Sequence, residues 1–195
     1  MGADIHMYVE RYEWGWGGED APPRWVKIGP TPKPAPDPIP VPGWDDSLTE
    51  AENDEIYAAY VDADPTPRGQ YPDDDGNRIL ADRNYGWFGF LANVRNYSDS
   101  PFISAPRGMP PDLSDGVRQV LRHWDRFFPD AAHSHSWLLV QELIEYRYSQ
   151  RFFDSRAGRW VELREFLLPC YFQQVADLHA LGDPRDTRLV FFFDS

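Results

Sequence analysis

The chain has 195 residues, a length suited to one domain with an elaboration or two, and 42% of them are hydrophobic, enough for a sizeable core. Its net charge of -13 excludes a general nucleic-acid binder, which needs a basic footprint to displace counterions. A single cysteine, Cys170, excludes a disulfide framework or a cysteine-based zinc ribbon, and no apolar run reaches the length of a membrane span.

The first ten residues organise the chain. Ile5, Met7 and Val9 alternate with Asp4, His6, Tyr8 and Glu10, so an extended strand over 3–13 buries one face and lines up polar groups on the other. Residues 1–20 lack the basic start and apolar middle of a signal peptide, and the expected location is the cytoplasm. After glycines at 15, 17 and 18, residues 24–28 read as the partner strand of a hairpin.

From Pro30 to Pro42 proline dominates, which predicts a stiff polyproline surface excursion; a recognition arm is the alternative. Ser47 and Glu50 have capping-box spacing and predict an acidic helix to about Tyr60. Residues 62–78 read as a loop, and Asp73-Asp74-Asp75 as a turn, since the ligand spacing and closing glutamate of a calcium loop are missing. The stretch 30–78 is Pro-rich and acidic, within a single domain spanning 1–195.

A short apolar helix is expected over 86–96, terminated at Asn96 and bracketed by Arg83-Asn84 and Arg95-Asn96. Arginine matches carboxylate or phosphate oxygens bidentately, although capping and local ion pairing are the plainer roles for both pairs. Arg107 sits in a stiff Pro- and Gly-rich loop and is the preferred anion-contacting arginine. Leu113, Val117, Val120, Leu121, Trp124 and Phe128 recur at helical spacing, with Asp112 or Ser114 as cap and Pro129 as stop.

His133-Ser134-His135-Ser136 then reads as a loop entering a helix, with a serine as cap. Residues 151–154 and 159–163 could form a hairpin, Leu168 to Leu181 a helix, and 187–194 an almost wholly apolar strand covered on both faces. The expected fold is α+β: a single domain with a small mixed sheet formed by the N-terminal hairpin and the C-terminal strand, packed by four to five helices.

Several motifs occur in order: Met-Gly-x-Asp-Ile-His, Asn-Tyr-x-x-Phe-x-x-Leu-Ala-x-Val-Arg-Asn, Pro-Arg-Gly-x-Pro-x-Asp-Leu-Ser, His-Ser-His-Ser-Trp and a closing Phe-Asp-Ser. This pattern resembles a family of uncharacterised proteins encoded by tailed bacteriophages and actinobacterial genomes. The resemblance covers residues 1–13, 82–146 and 187–195, and implies that the Pro-rich and acidic stretch 30–78 is an insertion in this member. It implies a phage-type protein in the host-cell cytoplasm and brings no settled activity. Such proteins usually carry Cys at position 3, where this chain has Ala3, so any ligand role of that cysteine is absent here.

The residues themselves permit a metal site. Asp4, His6, His133 and His135 form a mixed carboxylate–imidazole set suited to a divalent transition metal such as Zn or Mn. Histidines two apart on an extended chain point the same way, and a bound metal could deliver hydroxide. Glu10 or Asp112 would take the proton. Arg83, Tyr85, Arg95, Asn96, Arg107 and Trp137 would bind a phosphate-bearing, nucleotide-like small molecule. In place of the metal, the histidines could form a capping network with Asp4. A non-catalytic counter-defence protein that sequesters a nucleotide immune signal, or one that inhibits a host protein, is the other functional class. A homo-oligomer is compatible with each.

Overall fold

The computed structural model describes residues 4–15, 22–28, 47–49, 51–53, 55, 56, 59, 83–128 and 130–194, with side chains of 123, 126 and 127 excepted. The proline run, the Asp73–Asp75 turn and most of the acidic stretch lie outside the described residues. Among the described residues Thr49 and Glu52 form a capping box, whereas the expected pairing of Ser47 with Glu50 lies outside them because Glu50 is not described. The Glu52 carboxylate accepts from the Thr49 amide at 2.9 Å, and the Asn53 amide donates to the Thr49 carbonyl at 3.0 Å.

β1 (Ile5–Glu13) pairs with β2 (Arg24–Ile28) on one side and with β6 (Thr187–Asp194) on the other. β3 (Ala132–Leu139) completes the sheet in the order β2-β1-β6-β3. Every pairing is antiparallel, where a mixed sheet was expected. The chain ends do build the sheet, and the fold is α+β. The fourth strand of the sheet corrects the expectation of a loop, because the His-Ser-His-Ser run lies within it. Four helices have described bounds: α1 (Tyr85–Ala92), α2 (Asp115–Phe127), α3 (Val140–Glu145) and α4 (Leu163–His179). The hairpin of β4 (Arg151–Asp154) and β5 (Arg159–Glu162) stands apart as a second, two-stranded sheet.

The period-two pattern of β1 acts as predicted. Ile5 and Val9 join Leu189, Phe191 and Phe193 in a core covered by α1, α3 and α4, while Tyr8 joins Val190 and Phe192 under Val117, Val120 and Trp124 of α2. β6 is therefore apolar on both faces because helices cover both. Phe191, Phe192 and Phe193 are each fully buried, worth about 1.5–3 kcal/mol apiece as an upper estimate.

Local chemistry sets the helix ends. Asn84 caps α1, its carboxamide oxygen accepting from the Gly86 and Trp87 amides, and Asn93 rather than Asn96 ends it at φ 56°. Ser114 caps α2 by accepting from the Val117 amide. α3 takes no serine cap: the Glu142 carboxylate accepts from the Leu139 amide at 2.9 Å. α4 begins at Leu163, earlier than expected, and is broken at Leu168 (φ 68°) before Pro169. The Leu167 carbonyl at that break accepts from Trp87 Nε1 at 3.0 Å.

Candidate functional site

The polar edge of β1 lies on the α2 side of the sheet. The Asp4 carboxylate holds Arg83, with Nε 2.6 Å from Oδ1, and the Asp4 amide donates to Asp194 Oδ1 at 2.8 Å. His6 Nε2 lies 3.3 Å from Asp194 Oδ2, and its ring packs on Trp124 at 4.3 Å and on Phe192 at 4.9 Å. Asp194, the real carboxylate neighbour of His6, was missed because it lies 188 positions away and only the β1–β6 register brings it near.

A bulge separates the two imidazoles of β3. His133 pairs with Phe193 and Ser136 with Phe191, and Ser134 between them takes φ 52°. His133 consequently stacks on Phe193 at 6.2 Å, whereas His135 stacks on Phe192 at 5.5 Å. Those phenylalanines belong to the cores on opposite faces of the sheet. The expectation that both histidines point one way is thus corrected by the extra residue. His6 and His135 share a face, but β6 runs between their strands. Adjacent strands are about 4.8 Å apart, so side chains two strands apart are roughly 10 Å apart. A metal needs each ligand within about 2.1 Å. Asp4, His6, His133 and His135 are therefore not gathered into one ligand set, and among the described residues no group of three His, Cys, Asp or Glu has metal-holding geometry. Burial, with His133 nearby, holds the His135 imidazole below its ordinary pKa against the pull of Asp125.

Glu10 and Asp112, expected as proton acceptors, instead hold Arg188. Glu10 is fully buried; its Oε2 accepts from Arg188 Nε at 2.6 Å and its Oε1 from the Ser114 amide at 2.8 Å. Asp112 accepts from Arg188 Nη1 at 2.8 Å and from Trp25 Nε1 at 2.9 Å, and the guanidinium lies 3.9 Å over the Trp25 ring. These carboxylates tie β1, β6 and the start of α2 together. Arg107 is similarly engaged: it grips Glu142, with Nη1 2.9 Å from Oε2, and lies 5.1 Å over Trp137.

Three of the expected ligand-binding residues do share a place. Tyr85, Arg95 and Asn96 line a cleft with Gly86, Tyr97, Ser98, Arg156 and Phe166. Asn93 and Arg95 both take positive φ, 56° and 47°, which turns the chain sharply after α1 and sets Arg95 at the cleft. Asn96 builds the wall: its carboxamide donates to the Ser100 carbonyl at 2.8 Å and accepts from the Ser100 amide at 2.9 Å. Arg95 donates to the Tyr97 hydroxyl at 3.3 Å and lies 5.8 Å over Tyr85. Arg156 reaches the lining from the β4–β5 turn, where Asp154 Oδ1 accepts from the Arg156 and Ala157 amides, both at 3.0 Å. The Ser155 amide donates to the Ser98 carbonyl at 3.2 Å and ties that turn to the cleft. Among the described residues neither Arg95 nor Arg156 forms an ion pair. Arg156 and Tyr97 carried no sequence signal beyond the hairpin that holds the first and the Asn96 that precedes the second.

No family model matches the chain, and neither the curated proteins nor the solved structures include a significant match.

Proposed function

We propose that this protein binds a phosphate-bearing, nucleotide-like small molecule in the Tyr85–Arg95–Arg156 cleft, and that its role is to hold the ligand, as a sequestering protein would. The observation that carries this reading is that two arginines, Arg95 and Arg156, line one cleft and neither forms an ion pair among the described residues. Guanidinium forks suit phosphate oxygens, and the Tyr97 ring, 54% exposed, offers a face for a planar group. In a phage-type protein such a cleft fits a counter-defence role.

A panel of mono-, di- and cyclic nucleotides and ADP-ribose, read by thermal shift, tests the reading. At least one ligand should raise the melting temperature of the wild type and leave the Arg95→Gln variant unmoved. No shift from any of them would defeat it. A stable host protein on pull-down would then favour an inhibitory role. Elemental analysis separates the catalytic alternative: one transition metal per chain would call for a metal site other than the Asp4, His6, His133 and His135 set, which the sheet keeps apart.

A further inference from the structure

The make-up of this cleft points to the kind of phosphate it takes. Arg95 comes from the left-handed turn after α1 and Arg156 from the hairpin turn, so two separate elements each bring one arginine to the cleft. The rest of the lining contains no carboxylate, amine or imidazole. Two positive charges in such a wall are matched by a dianion and left half-balanced by a monoanion. Arg95 spends one donor on Tyr97, which leaves most of its five for a ligand.

The cavity of the cleft is about 20 Å³, far below the roughly 300–1,000 Å³ that encloses a whole drug-sized ligand. A cleft of that size takes one group of a ligand, end-on. An internal phosphodiester carries one charge and is esterified on two sides, so one ester must meet a wall. A terminal phosphomonoester presents three free oxygens and close to two charges at neutral pH.

We infer, building on the ligand-binding reading above, that the cleft selects a terminal phosphomonoester dianion over an internal phosphodiester. Arg95 and Arg156 grip the phosphate together, and the group that carries it stays outside, against the exposed ring of Tyr97. The carboxylates beside the cleft are already engaged. Asp99 accepts from the Ser155 hydroxyl. Burial pushes the Asp154 carboxyl up, but bonds from the Ala157 amide, the Ser98 hydroxyl and the Arg156 amide outweigh it and hold it below its usual range. Arginine stays charged throughout, so between pH 7.5 and 5 the ligand is the group that changes charge.

Titration calorimetry with adenosine 5′-monophosphate and adenosine 3′,5′-cyclic monophosphate compares the two esters on one nucleoside. The monoester should bind at least tenfold more tightly at pH 7.5. Its affinity should fall about tenfold at pH 5, following a second phosphate pKa near 6, while the cyclic diester shows no such change. Arg95→Gln and Arg156→Gln, each checked by circular dichroism for an intact fold, should each weaken the monoester at least tenfold. Equal affinities, or monoester binding independent of pH, would overturn the selection while leaving a ligand-binding cleft. Failure of both nucleotides and of inorganic phosphate to bind would overturn the cleft reading with it.

Discussion

Glu10 and Arg188 form a buried ion pair across the β1–β6 ladder, Oε2 to Nε 2.6 Å, with neither residue more than 2% exposed. Removing one partner strands the other charge in a low-dielectric interior. Glu10→Ala should therefore lower the unfolding free energy by about 3–5 kcal/mol in urea titration. Replacing both, as Glu10→Leu with Arg188→Met, should cost clearly less than the sum of the single changes. Additive losses would show that the pair is not coupled.

Gly89 reverses the usual helix rule. Alanine in a helix normally gains about 1 kcal/mol over glycine. Here a Cβ would lie 2.8 Å from Asn96 Oδ1, and that carboxamide is pinned by Ser100 and Asn93. Gly89→Ala should destabilise by about 1–3 kcal/mol. In an Asn96→Gly background, which removes the Oδ1, Cγ and Cβ contacts together, the same change should become neutral or favourable, which a thermal double-mutant cycle would read.

Glu142 gives the protein an acid limb. Burial pushes its carboxyl up, but the bonds from Arg107 and the Leu139 amide outweigh it, and the pKa is lowered from 4.5. A carboxyl lowered by folding contributes stability that is complete above its unfolded value and lost as pH falls through its folded value. Urea midpoints should fall from about pH 4.5 downward, and Glu142→Gln should make that fall shallower while lowering the midpoint at pH 7. An unchanged acid slope would show that Arg107 does not hold the carboxylate in solution.

Ser134 carries the bulge at φ 52°. A β-branched side chain is strained there and glycine is not. Ser134→Val should cost about 1–3 kcal/mol, whereas Ser134→Gly should be tolerated. Proton shifts of His133 and His135 report the result: if valine straightens the strand, both rings move to new aromatic neighbours.

Much of the frame was legible in the residues. The alternation of Ile5, Met7 and Val9 with Asp4, His6, Tyr8 and Glu10, and the unbroken apolar run of β6, are local signals that burial obeys directly. The stripe of α2 and its Ser114 cap are equally local. The HSHSW stretch misled because a two-residue alternation was assumed to hold through it. One residue with positive φ shifts the register and sends the two imidazoles to opposite faces, and nothing in the residue types announces that shift.

By itself the sequence determined which segments are buried, how the chain alternates, and that arginine, asparagine and tyrosine cluster around α1. Only the tertiary structure decided the partner of each charge. β6 inserted between β1 and β3 keeps His6 and His135 apart, Arg188 claims Glu10 and Asp112, Glu142 claims Arg107, and Arg95 is brought to the same cleft as Arg156. The physical reason is range: hydrophobic periodicity is read within a few residues, whereas an ion pair is fixed by the register between strands and loops far apart in the chain, and that register exists only after the whole sheet has closed.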